Sequence, residues 1–359
     1  MLTAEGCAAR RSRLLEQLKP STPLVLGDPL HLRYLANLYI DPFSLGADYG
    51  ALLHLTPDGE TSLYYDHRLP KTYESAHVAK KEAVKWYDGQ TAGQGPRRAI
   101  LLPIVAKLGG RVHDSLADPM AAELFSVVGE MRRRKDGDEV ALLKACCRAG
   151  EAGQAWARTN VRPGMTELDV YNGIFTACST QAKQPVILYG DFAVSPGSAK
   201  RGGMPTQKVI QAGETLILDF SVVIGGYRSD YTNTLVVGAE PTAQQQRLFD
   251  LCVAAMKSGE AAMRAGATCQ AVYDATRKPF ADAGVADAFP HHAGHGLGLG
   301  HPEAPFFVKQ SSETLVAGDV VTLEPGLYVD GVGGIRIEHN YLITDNGYEQ
   351  LSQHVIALK

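Results

Sequence analysis

Four of the chain's eleven histidines lie within eleven positions of one segment, HHAGHGLGLGHPEAP at residues 291–305. Four glycines are interspersed among them, and glycine lets the backbone approach neighbouring groups more closely than other residues do. Packing of a hydrophobic core does not need this concentration of imidazoles. Histidine is a common metal ligand and a common proton donor or acceptor near neutral pH. The segment is therefore a candidate for metal binding or catalysis.

Two aspartates are predicted to lie side by side on a β-hairpin in the segment TLILDFSVVIGGYRSDYTNTLVV. Its two β-rich runs meet at Gly225-Gly226, a favourable two-residue turn. Folding there places Ser221 opposite Asp230. Asp219 is two residues from Ser221, so the two aspartates share one face of the sheet, with Cα atoms about 7–8 Å apart. The flanking residues are apolar, and two buried carboxylates require a cation between them.

Two glutamates near the C-terminus have the same character. In VVTLE and in IRIEHN, apolar residues alternate with polar ones, so each predicted strand directs a glutamate, Glu324 or Glu338, away from its apolar side chains. Pro325-Gly326 ends the first strand immediately after Glu324. Either glutamate alone would be read as solvated, but together with the two aspartates and the histidines they indicate a common site.

Four carboxylates with at least one imidazole form an oxygen-rich set of ligands. Such a set suits Mn²⁺ or Fe²⁺, with Co²⁺ or Zn²⁺ possible, rather than a structural zinc held by thiolates. One divalent ion does not need this many carboxylates. We therefore expect two divalent metal ions per chain, about 3.5–4 Å apart, with Mn²⁺ favoured.

The elements that position these groups are predicted to belong to an α+β chain of two domains. A length of 359 residues suggests two cores. Residues 1–130 show short strands and helices, with strands at TPLVLG and RRAILLPI and a hairpin around TPDGE. The remainder, 131–359, has helices over Asp138–Asn160, 242–265 and 268–284 and strand-rich segments typical of an antiparallel sheet. The histidines of the first domain are isolated and are expected to be surface or satisfied residues: His31, His54, His67, His77 and His113.

Composition limits the possible partners and compartments. The formal net charge is −4, so no attraction to nucleic acid is expected. No run of about 18 apolar residues predicts a membrane-spanning helix, and the N-terminus lacks the apolar core of a signal peptide. The six cysteines are scattered without a CxxC pair, which favours a reducing, cytoplasmic setting.

These motifs resemble the pita-bread metallopeptidases, the family of methionine aminopeptidase, aminopeptidase P and prolidase. The resemblance rests on the two aspartates of LDFSVVIGGYRSDYTNT followed by GHGLGLG, LEPGLY and GGIRIE in that order, and it covers roughly 131–359. The first 130 residues are more loosely similar to the creatinase-like α/β domain that precedes the pita-bread domain in prolidases and aminopeptidase P. The resemblance therefore favours the proline-directed branch, with a curved antiparallel sheet flanked by helices and a homodimeric assembly.

The resemblance also implies a role for each residue. Asp219 would bind one metal ion, Asp230 and Glu338 would bridge both, and His295 and Glu324 would complete the second. Glu324 would accept and relay a proton from the attacking water, and His291 would contact the substrate side of the reaction. His292 is expected to be a bystander.

Three further residues are left with open roles. The family has a histidine seven positions after the one in GHG; here His301 follows His295 by six, and we expect it to reach the site from a shortened loop. Arg336 could hold Glu338 or clamp the C-terminal carboxylate of a short substrate. Tyr328 could hydrogen-bond substrate or ligand. A family histidine near the substrate pocket is replaced here by Gly202-Gly203, so a substrate contact is either missing or supplied by another side chain such as Tyr189 or Tyr231.

The sequence thus predicts a Xaa-Pro dipeptidase whose substrate is a small peptide with proline in second position. Aminopeptidase P activity on longer peptides is the alternative within the same class. A pita-bread protein that binds peptides or partners without catalysis is the alternative from another class, and the complete ligand set argues against it.

Overall fold

The computed structural model describes residues 1–93 and 95–359, which form two compact units, Met1–Arg132 and Arg133–Lys359. The first unit contains a four-stranded sheet in the order β1-β2-β3-β4, in which β3 and β4 are parallel and the other neighbours antiparallel. Its elements are α1 (Ala4–Leu18), β1 (Leu24–Leu26), α2 (Pro29–Ala36), α3 (Pro42–Gly46), β2 (Ala51–Leu55), β3 (Thr61–Asp66), β4 (Lys80–Val84), α4 (Leu102–Lys107) and α5 (Ala121–Arg133).

The second unit consists of four helices and eleven strands within its described residues. The helices are α6 (Gly137–Asn160), α7 (Glu167–Ala182), α8 (Ala243–Ala262) and α9 (Cys269–Asp282). The strands are β5 (Ile187–Val194), β6 (Thr215–Ile224), β7 (Tyr227–Arg228), β8 (Tyr231–Val236), β9 (Gly294–Gly296), β10 (Glu303–Phe307), β11 (Val320–Leu323), β12 (Gly326–Val329), β13 (Gly333–Arg336), β14 (His339–Thr344) and β15 (Gly347–Gln350).

Every strand pairing described in the second unit is antiparallel. One sheet has the order β10-β9-β11-β14-β15, a second contains β5, β6, β7 and β8, and β12 and β13 form a two-stranded ribbon. Helices α8 and α9 pack against the first sheet and the ribbon, burying Cys252, Val272 and Phe280 with Leu323 and Ile335. The predicted α+β class, with a pita-bread domain built on antiparallel sheet and flanking helices, is confirmed.

Local sequence signals account for the helix boundaries. Thr166 and Asp169 form a capping box at the start of α7, in which the Thr166 side chain accepts a hydrogen bond from the Asp169 N–H. Helix α8 begins in the same way with Thr242 and Gln245. Among the described residues no helix combines the length and apolar character that crossing a membrane requires.

Two predicted strands were wrong. RRAILLPI is helical, with a 3-10 turn at Arg97–Leu101 followed by α4, because Pro103 occupies a first-turn position that suits a helix. IRIEHN is not one strand: β13 ends at Arg336 and β14 begins at His339. Alternation of apolar and polar residues continues across this break, so the pattern alone could not reveal it.

Candidate active site

The hairpin that carries the two aspartates folds in the predicted register. Ile224 pairs with Tyr227 across the Gly225-Gly226 turn, where both glycines have positive φ. The Ser221 hydroxyl donates to Asp230 Oδ1 at 3.3 Å, as expected for opposed positions. Asp230 lies in the short gap between β7 and β8.

The two glutamates each lie where the chain leaves one sheet for another. Glu324 follows β11 and precedes the ribbon strand β12, and its N–H donates to Ala293 O at 2.8 Å. Glu338 lies between ribbon strand β13 and β14, and its N–H donates to Thr232 O at 3.0 Å. Both carboxylates are thus fixed at the junctions between neighbouring sheets.

The glycines around His295 are required by close backbone packing. A Cβ atom at Gly294 would lie 2.1 Å from Thr322 O, and one at Gly296 would lie 2.1 Å from Ala304 O. Strand β9 therefore fits between β10 and β11 only without side chains on either side of the histidine. His295 Nδ1 is 2.9 Å from Gly296 O, which leaves Nε2 to face the carboxylates.

Four of the five predicted ligands, Asp219, Asp230, His295 and Glu324, line one cavity of about 440 Å³, and Glu338 lies beside them. Ligand atoms of Asp219, Asp230 and Glu338 all lie within 4.8 Å of one another. His295 Nε2 is 3.5 Å from Asp230 Oδ2 and 3.6 Å from Glu324 Oε1. Residues from five parts of the chain thus meet at a cavity whose volume is within the usual range for a small-molecule site.

His301 reaches the same cavity despite its shortened spacing. Its Nε2 lies 2.6 Å from Asp230 Oδ2, and ligand atoms of Asp230, His295 and His301 fall within 4.8 Å of one another. The shortened loop therefore leaves this imidazole in contact with the acid cluster.

Crowding of the acids shifts their proton affinities in opposite directions. Burial raises the pKa of Asp219 to about 7, with Arg336 opposing the shift. Burial also raises the pKa of Glu338 well above its ordinary value, reinforced by the charges of Asp230 and Glu324. Burial alone would raise the pKa of Asp230, but hydrogen bonds from His295 and His301 hold it below its ordinary value. The protein's own cations thus do not neutralise all the carboxylates.

The residues present fit divalent cations. Glu338 Oε2 accepts a hydrogen bond from the Thr232 hydroxyl at 2.7 Å, whereas its buried Oε1 has no partner among the described residues. A buried carboxylate oxygen without a donor costs free energy unless a cation supplies the missing interaction. Carboxylates and imidazoles are the donors that Mn²⁺, Fe²⁺, Co²⁺ and Zn²⁺ accept.

A hydrogen-bonded chain lies beside the acids. His291 Nε2 is 3.1 Å from the Tyr328 hydroxyl, which also accepts a hydrogen bond from Arg336 Nη1 at 2.8 Å. Burial lowers the pKa of His291 to about 4, so its imidazole is neutral near pH 7. Arg336 Nη2 contacts Asp219 Oδ2 at 2.5 Å and Asp191 Oδ2 at 2.7 Å. The guanidinium therefore holds Asp219, and not Glu338 as the sequence allowed.

The predictions from the sequence missed or misplaced several residues of the cavity. Asp191, on β5, lines the cavity beside Asp219; alternation along β5 could have placed it there only once the β5–β6 register was known. His292 lies in the wall, with Nδ1 3.3 Å from Glu324 Oε1. Tyr189 also lines the cavity, whereas Tyr231 is fully buried and donates its hydroxyl to Cys147 O. Tyr231 is therefore not available for substrate contact.

Residues 141–345 match metallopeptidase family M24. An uncharacterized peptidase from Staphylococcus saprophyticus is 32% identical over 235 residues, which are 64% of this chain and 65% of that protein. The chain thus spans just under two thirds of the length of this curated relative. A prolidase from Pyrococcus horikoshii superposes with a TM-score of 0.80 at 22% identity, over 98% of this chain and all of that one. An X-Pro aminopeptidase from Thermotoga maritima gives 0.79 at 19% identity, over 97% and 99% of the two chains.

The chain belongs to metallopeptidase family M24, because the family match covers more than half of its length. At these sequence identities, the two structural matches show that the fold is shared. They extend over nearly the whole chain, including the first unit.

Proposed function

We propose that this protein is a dinuclear-metal peptidase that hydrolyses the Xaa-Pro bond of dipeptides. The observation that carries the proposal is that Asp219, Asp230, His295 and Glu324 line one cavity of about 440 Å³, with a Glu338 carboxylate oxygen within 4.8 Å of ligand atoms of Asp219 and Asp230. Retaining several buried acids in contact without a cation is unfavourable. The non-catalytic alternative gives no reason for such a cluster.

The ligand roles proposed are those that the sequence resemblance implies. Asp219 would hold one ion, Asp230 and Glu338 both, and His295 and Glu324 the other, with Mn²⁺ favoured. Bound divalent cations supply Lewis-acid activation of water and of the scissile carbonyl. His301 lies against Asp230 and would either add a ligand or orient that carboxylate.

The chain's own residues would handle protons and position the substrate. Glu324 lines the cavity and would accept a proton from the attacking water and pass it to the leaving proline nitrogen. His291, neutral and with its Nδ1–H donated to His292 O, would accept from the Tyr328 hydroxyl at Nε2 and so position that hydroxyl on the substrate side of the cavity. His292 contacts Glu324 and would hold it in the orientation for proton transfer.

Aminopeptidase P activity on longer peptides is the second candidate, and one contact favours it. Arg336 is occupied by Asp219, Asp191 and Tyr328, so it is not free to clamp the C-terminal carboxylate of a dipeptide. Rates of hydrolysis of Ala-Pro and Ala-Pro-Ala-Ala, compared with Mn²⁺, Co²⁺ and Zn²⁺, test the proposal. Preference for the tetrapeptide would replace the dipeptidase assignment, and failure to cleave either would remove the proline-directed function.

A homodimer is proposed by analogy with the resembling family. Light scattering coupled to size-exclusion chromatography tests it, since a 38.6 kDa chain would elute at twice that mass. A monomeric mass would refute the dimer.

A further inference from the structure

Asp191 lies in the cavity wall but at none of the predicted ligand positions. Strands β5 and β6 pair antiparallel with Asp191 directly opposite Asp219, so the two carboxylates share one face of the sheet. The Asp191 side chain is 33% exposed and that of Asp219 is 19% exposed. Like charges directly opposite each other destabilise a sheet, and the pair therefore needs a positive group between its members.

The Arg336 guanidinium supplies that group. Its Nη2 lies 2.7 Å from Asp191 Oδ2 and 2.5 Å from Asp219 Oδ2. Its Nη1 donates to the Tyr328 hydroxyl at 2.8 Å and to Arg201 O at 3.3 Å. One positive charge is thus shared by two carboxylates, of which only Asp219 belongs to the acid cluster that would bind metal.

The glycine at position 202 makes room for this arrangement. A Cβ atom at Gly202 would lie 1.9 Å from Asp191 Oδ2 and 2.5 Å from Asp191 Cγ. The atom that would be displaced is the same oxygen that contacts Arg336. The Asp191–Arg336 pair therefore requires a residue without a side chain at position 202. The family that this sequence resembles has a histidine near this position.

We propose that Asp191 is a positioning residue that shares Arg336 with Asp219 and so leaves Asp219 able to bind a divalent cation. The inference rests on the proposed metal-dependent function. A cation at Asp219 competes with the guanidinium for the same carboxylate. When Asp219 binds the cation, Arg336 keeps its ion pair with Asp191. Without Asp191 the buried guanidinium would have no carboxylate partner, which is strongly unfavourable.

Equilibrium binding of Mn²⁺, followed by the electron paramagnetic resonance signal of the free ion, tests the inference without measuring activity. Asp191→Asn removes the shared charge and is expected to weaken one of the two binding steps about tenfold or more, the usual effect of losing a group that orients a metal ligand. Gly202→Ala keeps every charge but displaces the Asp191 carboxylate, and is expected to weaken the same step.

Two matched controls are expected to bind both ions as the wild type does. Gly347→Ala adds a Cβ where no atom lies within 4 Å, and Asp282→Asn removes an exposed ion pair with Lys278. Unfolding midpoints of all variants identify any that have lost their fold.

The outcomes separate the two proposals. Wild-type protein that binds no Mn²⁺ would overturn the metal-dependent function and the inference with it. Two wild-type sites with unchanged affinity in Asp191→Asn would overturn the inference alone. Weakening by Asp191→Asn but not by Gly202→Ala would also overturn it, because Asp191 would then act through net charge and not through its contact with Arg336.

Discussion

A buried carboxylate in contact with an imidazole occurs in each of the two units, and the comparison shows what distinguishes a structural pair from a candidate site. In Met1–Arg132, His31 Nδ1 lies 3.0 Å from Asp114 Oδ2. The same carboxylate accepts hydrogen bonds from the N–H groups of Gly27 and Asp28 at 2.8–3.0 Å. Asp114 is therefore satisfied by one imidazole and by backbone donors.

The pair in Arg133–Lys359 has a different environment. His301 Nε2 lies 2.6 Å from Asp230 Oδ2. Carboxylate oxygens of Asp219 and Glu338 also lie within 4.8 Å of a carboxylate oxygen of Asp230. Glu338 has a buried oxygen without a partner in the described part of the chain. Surplus negative charge beside a cavity, and not the presence of a histidine, therefore marks the candidate site.

Neutralising the acid of each pair should have unequal effects on activity. Asp230→Asn is expected to lower kcat/KM about a thousandfold, because Lewis-acid stabilisation is worth several kcal/mol and each 1.4 kcal/mol is about tenfold in rate. Asp114→Asn is expected to change it less than about twofold. The measurement is Xaa-Pro hydrolysis at saturating Mn²⁺. Comparable losses in both variants would remove the distinction between the pairs.

Chelation should destabilise only a protein whose acid cluster is intact. Removing divalent ions restores repulsion among the carboxylates, and a ligand present at a hundred times its Kd stabilises by about 2.7 kcal/mol. Calorimetry with Mn²⁺ and with EDTA is expected to show a shift in Tm for wild type that Asp230→Asn lacks. A wild-type Tm independent of EDTA would mean that no stabilising ion was bound.

Asp114→Asn should instead affect stability. The amide NH₂ would face a backbone N–H that now donates to a carboxylate, leaving a buried donor unsatisfied at a cost of about 2 kcal/mol. Urea unfolding measures the change. Asp282→Asn, which removes an exposed ion pair, is the control and is expected to change stability by less than about 0.5 kcal/mol. Equal stability of Asp114→Asn and wild type would show that the pair is not a structural contact.

His354 is a buried imidazole of the second unit that contacts no carboxylate of the described residues. Its Nε2 lies 3.2 Å from a backbone carbonyl, Thr232 O. Burial lowers its pKa to about 4 from the 6.5 of the free side chain, so between these values the unfolded chain binds more protons than the folded one. Stability should therefore fall as the pH falls, by about 1 kcal/mol from about pH 7 to about pH 5.5. His354→Gln should lack this part of the pH dependence. An identical pH dependence in both proteins would contradict it.

The sequence predicted those parts of the site that depend on local register. The Gly225-Gly226 turn fixes which residues oppose each other, so the relation of Asp219 to Asp230 followed from the hairpin. Glu324 could be placed at a strand end because Pro325 follows it. Three of the five proposed ligands were thus placed correctly from short-range patterns before any contact was known.

What the sequence could not show depends on pairing between distant strands. The break between β13 and β14 at Glu338 arises because two sheets meet there. The alternation of apolar and polar residues does not reveal such a break. Asp191 and Arg336 are in contact although they are 145 residues apart in the sequence, so no local pattern could predict this contact. The roles of His292 and His301 depended likewise on where their loops fold back.

The central claim is that the surplus acids of the second unit hold two divalent cations. Metal content of the protein after dialysis against Mn²⁺ and removal of free ions, measured by mass spectrometry, tests it most directly. The account expects two ions per wild-type chain and a loss of bound metal in Asp230→Asn, with Asp114→Asn unchanged. Wild-type protein that retains no ion, or Asp230→Asn that still retains two, would contradict it.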